Sequence, residues 1–284
     1  MTLRRRTVFA VAGGRLARST LAGVAQRSTL ERPNFRGRPV RLDAGPALAL
    51  AASLSGGAGA ALAADRGLAA AVLVAGLAAG AVGRYDDVAA TRPGAPTAKG
   101  LRGHVAALRA GKVTSGVLKV VGIGVAGLAA AAVLPRDRTR PRLGRAVELT
   151  LGAGVIAGTA NLVNLFDLRP GRALKAGLLL AAPLAGSRVG DAVAGPVGAA
   201  VALAGDDLRE RVMLGDCGAN AFGAVLGVAW AARTGLAGRA ALLAGLVALT
   251  LASERVSFSQ IIDATPPLRT LDQWGRPRLG TTAR

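Results

Sequence analysis

The 284 residues are 51% hydrophobic, with a mean hydropathy of +0.42, and the apolar residues run in long uncharged stretches rather than short alternating patches, which is a membrane signature. A formal charge of +20 would point to nucleic acid in a soluble protein, but most of the basic residues flank apolar runs and no nucleic-acid motif or aromatic platform accompanies them, so no nucleic-acid partner is expected. A single cysteine, Cys217, and a single histidine, His104, exclude an intramolecular disulfide and any multi-cysteine or multi-histidine metal site.

In chain order, the apolar runs predict nine membrane spans, at 7–26, 44–64, 68–83, 114–134, 146–163, 173–187, 189–204, 217–232 and 235–252. The expected fold is therefore all-α, a polytopic helical bundle forming one integral membrane domain over 1–284. The first run carries Arg15 and Arg18 and has no clear cleavage site, so it reads as a tilted span rather than a signal peptide. Only 3% of residues are aromatic and 40 are glycine, so small side chains must do the packing and let helix backbones approach closely.

Placing the loop 84–113 in the cytoplasm puts 27–43, 164–172, 205–216 and the tail 253–284 on the same side, where 20 basic residues gather against 11 on the other. This bias gives a multi-pass protein of a bacterial inner membrane with its active face cytoplasmic. The arginine-rich turn at 135–145 runs against it. Parity carries a further consequence. Two spans separate Asp87 from Asp167, and two more separate Asp167 from Asp216, so all these acids share one face with Asp86.

Three local motifs hold the acids. Gly83-Arg84-Tyr85-Asp86-Asp87 ends an apolar run with adjacent carboxylates, which repel near lipid unless a cation or hydrogen-bond donors neutralise them. An oxygen-rich magnesium site is one solution and a solvated loop start is the other. Asn161, Asn164 and Asp167 recur at three-residue spacing, which sets them on one broad helix face at the membrane edge. They could hold phosphate, ribose or metal-bound water; alternatively the amides join helices and Asp167 caps the next one. Met213-Leu-Gly215-Asp216-Cys-Gly218 opens a span with glycines that let backbone N–H groups reach an anion, with Asp216 either a magnesium ligand or a helix cap. Lys99, Arg102, His104, Arg109 and Lys112 crowd the loop after the aspartate pair and suit headgroups or a diphosphate. Lys119, inside the following span, needs a partner.

Taken in order over roughly 30–275, these motifs resemble the polyprenyl-phosphate N-acetylhexosamine-1-phosphate transferases, which include phospho-N-acetylmuramoyl-pentapeptide transferase. The resemblance implies a membrane enzyme of cell-envelope glycan synthesis. Its substrates would be a nucleotide-sugar and a polyprenyl phosphate, its cofactor Mg2+, and its surroundings membrane lipid, with a homodimer left open. It assigns Asp216 to magnesium, Asp86 and Asp87 to the lipid phosphate, and Asp167 with Asn161 and Asn164 to the nucleotide side, with Lys119 and His104 as further substrate contacts. Such an enzyme requires the carboxylates of Asp86 or Asp87, Asp167 and Asp216 to meet in one cleft near Lys119. Departures from the family pattern fall on the nucleotide and sugar side: Asp167 is followed by Leu168-Arg169-Pro170-Gly171-Arg172 instead of Gly-x-Asp-Gly, Met213 stands where an aromatic residue is usual, and 253–284 contains no histidine. An altered donor is one consequence; a non-catalytic relative that binds polyprenyl phosphate or a lipid-linked intermediate is the alternative. A transporter fits less well because the acids lie at span ends rather than mid-span.

Overall fold

The computed structural model describes residues 2–92, 100–135 and 139–277. In chain order its elements are α1 (Thr2–Ala25), β1 (Glu31–Pro33), β2 (Pro39–Arg41), α2 (Ala44–Leu62), α3 (Arg66–Ala90), α4 (Gly100–Arg109), α5 (Ser115–Val133) and α6 (Arg142–Phe166). There follow α7 (Arg172–Ala185), α8 (Gly190–Leu208), α9 (Gly215–Arg233), α10 (Leu236–Ser253), α11 (Phe258–Ala264) and α12 (Pro266–Gln273). The described residues thus form a helical bundle with one small antiparallel hairpin.

Each expected span coincides with one of α1 to α3 or α5 to α10, and five of these, α2, α3, α5, α6 and α10, are long and apolar enough to cross a membrane. The rest are shorter, more charged or less apolar: α7 has 14 residues, α8 holds Asp191, Asp206 and Asp207, and α9 carries Asp216 and Asn220 among its small residues. Three of the five arginines in α1 are paired within the bundle. Arg5 and Arg6 hold Asp191 at the start of α8, Arg6 at 2.9 Å, and Arg18 reaches Asp206 near its end. Likewise Arg239 of α10 meets Glu148 of α6 at 3.2 Å. Ion pairing of this kind is what lets charged side chains sit among apolar helices.

α9 is the central helix, buried along almost its whole length against α2, α3, α6 and α7. The core around it is built mostly from alanine, valine and leucine, with Phe222 its largest fully buried side chain. Close approach of small-residue backbones supplies the dispersion contacts that large side chains provide elsewhere. The outward faces of α5 and α10 carry Val120, Val121, Val125, Val247 and Leu251, all exposed, which is the surface expected against lipid chains.

Local sequence signals set the helix starts. The Asp65 carboxylate accepts from the Leu68 N–H at 2.8 Å to open α3, and the Thr114 hydroxyl accepts from the Val117 N–H at 3.3 Å to open α5. One boundary differs from expectation. α3 continues past Gly83 to Ala90, so Asp86 and Asp87 are helical residues rather than the start of a loop. The segment 84–113 also contains α4, and the tail 253–284 contains α11 and α12.

The hairpin pairs Glu31 with Arg41 and Pro33 with Pro39, and its turn is held by the Asn34 side-chain oxygen, which accepts from the N–H groups of Arg36 and Arg38 at 2.8 and 3.0 Å. The Met213 N–H donates to the Arg41 carbonyl at 2.8 Å, so the hairpin is sewn to the chain just before α9. This brings the connection after α1, the C-terminal ends of α3 and α6 and the N-terminal ends of α5 and α9 to one end of the bundle.

Candidate phosphate and cation site

At that end α3 and α9 nearly touch. A Cβ added to Gly83 would meet the Asp216 carbonyl oxygen at 2.2 Å, so only glycine lets the two backbones come this close. Gly215 has φ +59°, and a Cβ there would meet the Asp87 carboxylate oxygens at 2.8 and 2.9 Å. Both glycines exist to seat one carboxylate. Asp87, fully buried, accepts from the backbone N–H of Asp216 at 2.9 Å and of Cys217 at 3.0 Å. The first-turn donors of α9 are therefore capped from α3, where the helix dipole also favours negative charge.

Asp216 is not a helix cap. The N-cap position is Leu214, which makes no side-chain cap, and the Asp216 carboxylate instead accepts from the Lys119 ammonium at 2.7 Å. Lys119 also lies 3.6 Å from the Asp86 carboxylate. One cation of α5 thus bridges carboxylates of α3 and α9, as an intramembrane lysine requires. From the hairpin, the Arg32 guanidinium reaches Asp87 at 3.3 Å.

Asp167 follows α6 directly and does not cap α7, whose N-cap position is Gly171. It lines a cavity of about 370 Å³ together with Asn164, Asp216, Asp207, Arg32 and Arg169. Burial, with the nearby charges of Asp207, Asp216 and Asp87, pushes the Asp167 carboxyl well above the usual carboxylate range, against the opposing charge of Arg32. Asn161 lies elsewhere: its amide donates to the Thr250 hydroxyl at 3.0 Å and joins α6 to α10. The side chain of His104 and all of Lys99 lie outside the described residues.

Sequence reasoning did not pick out the hairpin or its partners. Phe35 lies beneath two guanidinium groups, Arg169 at 4.5 Å and Arg36 at 5.0 Å from the ring centroid. Glu210 accepts from the Asn34 amide at 2.6 Å and pairs with Arg36 at 3.3 Å. The signal was present in Pro33-Asn34-Phe35-Arg36-Gly37-Arg38-Pro39, where prolines bracket a turn-forming Asn and Gly.

A second, apolar groove of about 560 Å³ begins beside the site. Phe166, next to Asp167, stacks on Phe258 at 5.6 Å, and both line the groove with Leu179, Leu249, Ile261 and Leu268. Arg172 and Asp272 close one side of it, joined by two hydrogen bonds of 2.8 and 3.0 Å.

Compared with protein-family models and with curated protein sequences, the chain matches none.

The donor set suits a hard divalent cation. The Asn164 side-chain oxygen is buried with no hydrogen-bond partner among the described residues, and it lines the cavity that Asp167 and Asp216 also line. All three groups are oxygen ligands of the kind magnesium prefers. Among the described residues no three of His, Cys, Asp and Glu are grouped closely enough to hold a metal unaided. Magnesium commonly takes one or two carboxylates and completes its shell with water and substrate phosphate, so such a group is not required.

Proposed function

We propose that the protein transfers a sugar 1-phosphate from a nucleotide-sugar to a polyprenyl phosphate, at the cytoplasmic face of a bacterial inner membrane that it crosses nine times. A lipid phosphate oxygen attacks the sugar-linked phosphorus, the bond from that phosphorus to the nucleotide phosphate breaks, and a nucleoside monophosphate leaves. The observation that carries this reading is the gathering of Asp86, Asp87, Lys119 and Asp216 within hydrogen-bonding or ion-pair reach, beside a cavity lined by Asp167 and Asn164. Phosphoryl transfer needs charge neutralisation and positioning more than covalent chemistry, and this arrangement supplies both.

The residues divide the work. Asp87 is a positioning residue, because its oxygens already accept two backbone N–H groups and face Arg32. It holds the first turn of α9 and so sets where Asp216 stands. Asp86 remains to orient or deprotonate the lipid phosphate, while Lys119 offers a positive charge to the reacting phosphates. Asp216, Asp167 and Asn164 would hold magnesium, which when bound supplies charge neutralisation on the donor diphosphate. Arg32 and Arg169 face the same cavity and suit the nucleotide phosphates. The apolar groove that starts at Phe166 suits the prenyl chain of the acceptor.

One observation favours the alternative, a non-catalytic protein that binds polyprenyl phosphate or a lipid-linked intermediate. The Lys119 ammonium already neutralises Asp216 and Asp86 without a metal. Purified protein given magnesium, undecaprenyl or decaprenyl phosphate and a panel of nucleotide-sugars decides between them. Release of a nucleoside monophosphate with at least one donor supports the transferase; lipid binding with no release from any donor supports the binding protein.

A further inference from the structure

Two cavities that share no lining residue with the proposed catalytic cavity have basic residues in common. One, of about 470 Å³, and a second, of about 690 Å³, are both lined by Arg27, Ser28 and Arg84. The first opens toward the root of the hairpin at Leu30 and Glu31. The second runs down between α1, α2 and α3 along Val24, Leu50 and Leu77, the last two about 40% and 39% exposed on the outer face of the bundle. A polar, cationic mouth therefore continues into an apolar crevice that faces outward among the helices.

Arg84 is the unexplained residue here. One terminal nitrogen of its guanidinium, Nη1, is buried and has no hydrogen-bond partner among the described residues. A buried, unpaired donor of that kind calls for an acceptor from outside the protein. Asp86 is not that acceptor: it stands two residues on, about 200° round the helix, and faces Lys119 instead. Glu31 lines the same mouth, yet no ion pair joins it to Arg84 or Arg27 among the described residues. Arg27 adds a second positive charge at the mouth, and Ser28 and Thr91 add hydroxyl groups.

We propose that this crevice binds the phosphate of an anionic membrane lipid, with Arg84 and Arg27 on the phosphate and the acyl chains against Val24, Leu50 and Leu77. Two guanidinium groups match phosphate oxygens in charge and geometry, and the apolar continuation distinguishes a lipid from free phosphate. The site is separate from the phosphate chemistry proposed for Asp86 and Asp216 and holds whether or not the protein is a transferase. A bound lipid would anchor the end of α3 and the root of the hairpin, from which Arg32 reaches Asp87.

The test uses full-length protein in a neutral detergent, stripped of lipid and titrated with dioctanoyl phosphatidylglycerol, dioctanoyl phosphatidylcholine or inorganic phosphate, with occupancy read by native mass spectrometry. Phosphatidylglycerol is expected to bind, and Arg27→Gln with Arg84→Gln together to weaken it by about ten-fold or more, with little binding of phosphatidylcholine at equal concentration. Arg27 is exposed, so Arg27→Gln alone leaves the fold intact and should still weaken the lipid several-fold. Equal binding of both lipids, unchanged binding in the folded Arg27→Gln variant, or arginine-dependent binding of inorganic phosphate without the lipid would each overturn the proposal.

Discussion

The Asp87 carboxylate of α3 lies 2.9 Å from the backbone nitrogen of Asp216 in α9, and this contact sets the geometry of the whole site. A carboxylate from one helix caps another, so the two cannot shift independently. Replacing Asp87 with Ala leaves two buried N–H donors unpaired, at roughly 1–3 kcal/mol each. Asp87→Asn keeps one acceptor oxygen and should lose about half as much. Thermal unfolding in detergent checks the order wild type, Asn, Ala; an Ala variant as stable as wild type would mean that the cap is not needed.

Lys119 stands between Asp86 and Asp216 and keeps two carboxylates from repelling. Lys119→Gln is therefore expected to lower stability without divalent cations and to regain much of it with magnesium, more than wild type gains. Melting temperatures measured with magnesium and with chelator test this. A variant indifferent to magnesium would argue that these acids do not attract a cation.

Burial and neighbouring acids raise the Asp167 carboxyl well above its ordinary value, so the folded protein holds that proton more tightly than the unfolded chain. Its contribution to stability is present at low pH and is lost as pH rises through the raised value. Cation binding works the other way, because a ligand carboxylate must be ionised. Magnesium affinity should rise with pH and binding should release a proton, an effect absent in Asp167→Asn. Calorimetry in buffers of different ionisation enthalpy reads the proton directly.

Asp272 is the most heavily paired acid of the tail. Asp272 accepts from Arg172 and from Arg276, the latter at 2.7 Å, while Lys175 donates to the carbonyls of Leu271, Asp272 and Trp274. Burial opposes ionisation of Asp272, but these arginines outweigh it and hold the carboxyl below 3.8. Its stabilisation is therefore full above that pH and fades as the pH falls below it. Asp272→Asn should expose 253–277 to proteolysis at neutral pH, with the bundle itself intact; digestion followed by mass spectrometry reports the cut sites.

The positions of the helices were legible in the sequence because long apolar runs between charges are hard to place anywhere but in a packed bundle. Membrane crossing is a stricter matter: α7 is short, and Arg5, Arg6 and Arg18 of α1 are met by Asp191 and Asp206 of α8, which no local pattern announces. The end of α3 was misjudged for a similar reason. Arg84, Asp86 and Asp87 look like a span terminus, yet the partners that satisfy Asp86 and Asp87 come from α5, α9 and the hairpin, far away in sequence. The convergence of Asp86, Asp87 and Asp216 was legible from motif order and parity. That Asn161 turns to Thr250 while Asn164 faces the cavity was not, since the two amides share one helix face.

The central claim is chemical, and the product tests it most directly. Wild-type protein, polyprenyl phosphate, magnesium and the accepted nucleotide-sugar should yield a polyprenyl diphosphate-sugar, identified by its mass, in step with nucleoside monophosphate. Asp216→Asn, folded as judged by its melting curve, should make at least about a hundred-fold less. Equal product from Asp216→Asn, or no diphosphate-linked lipid from wild type with any donor, would contradict the account.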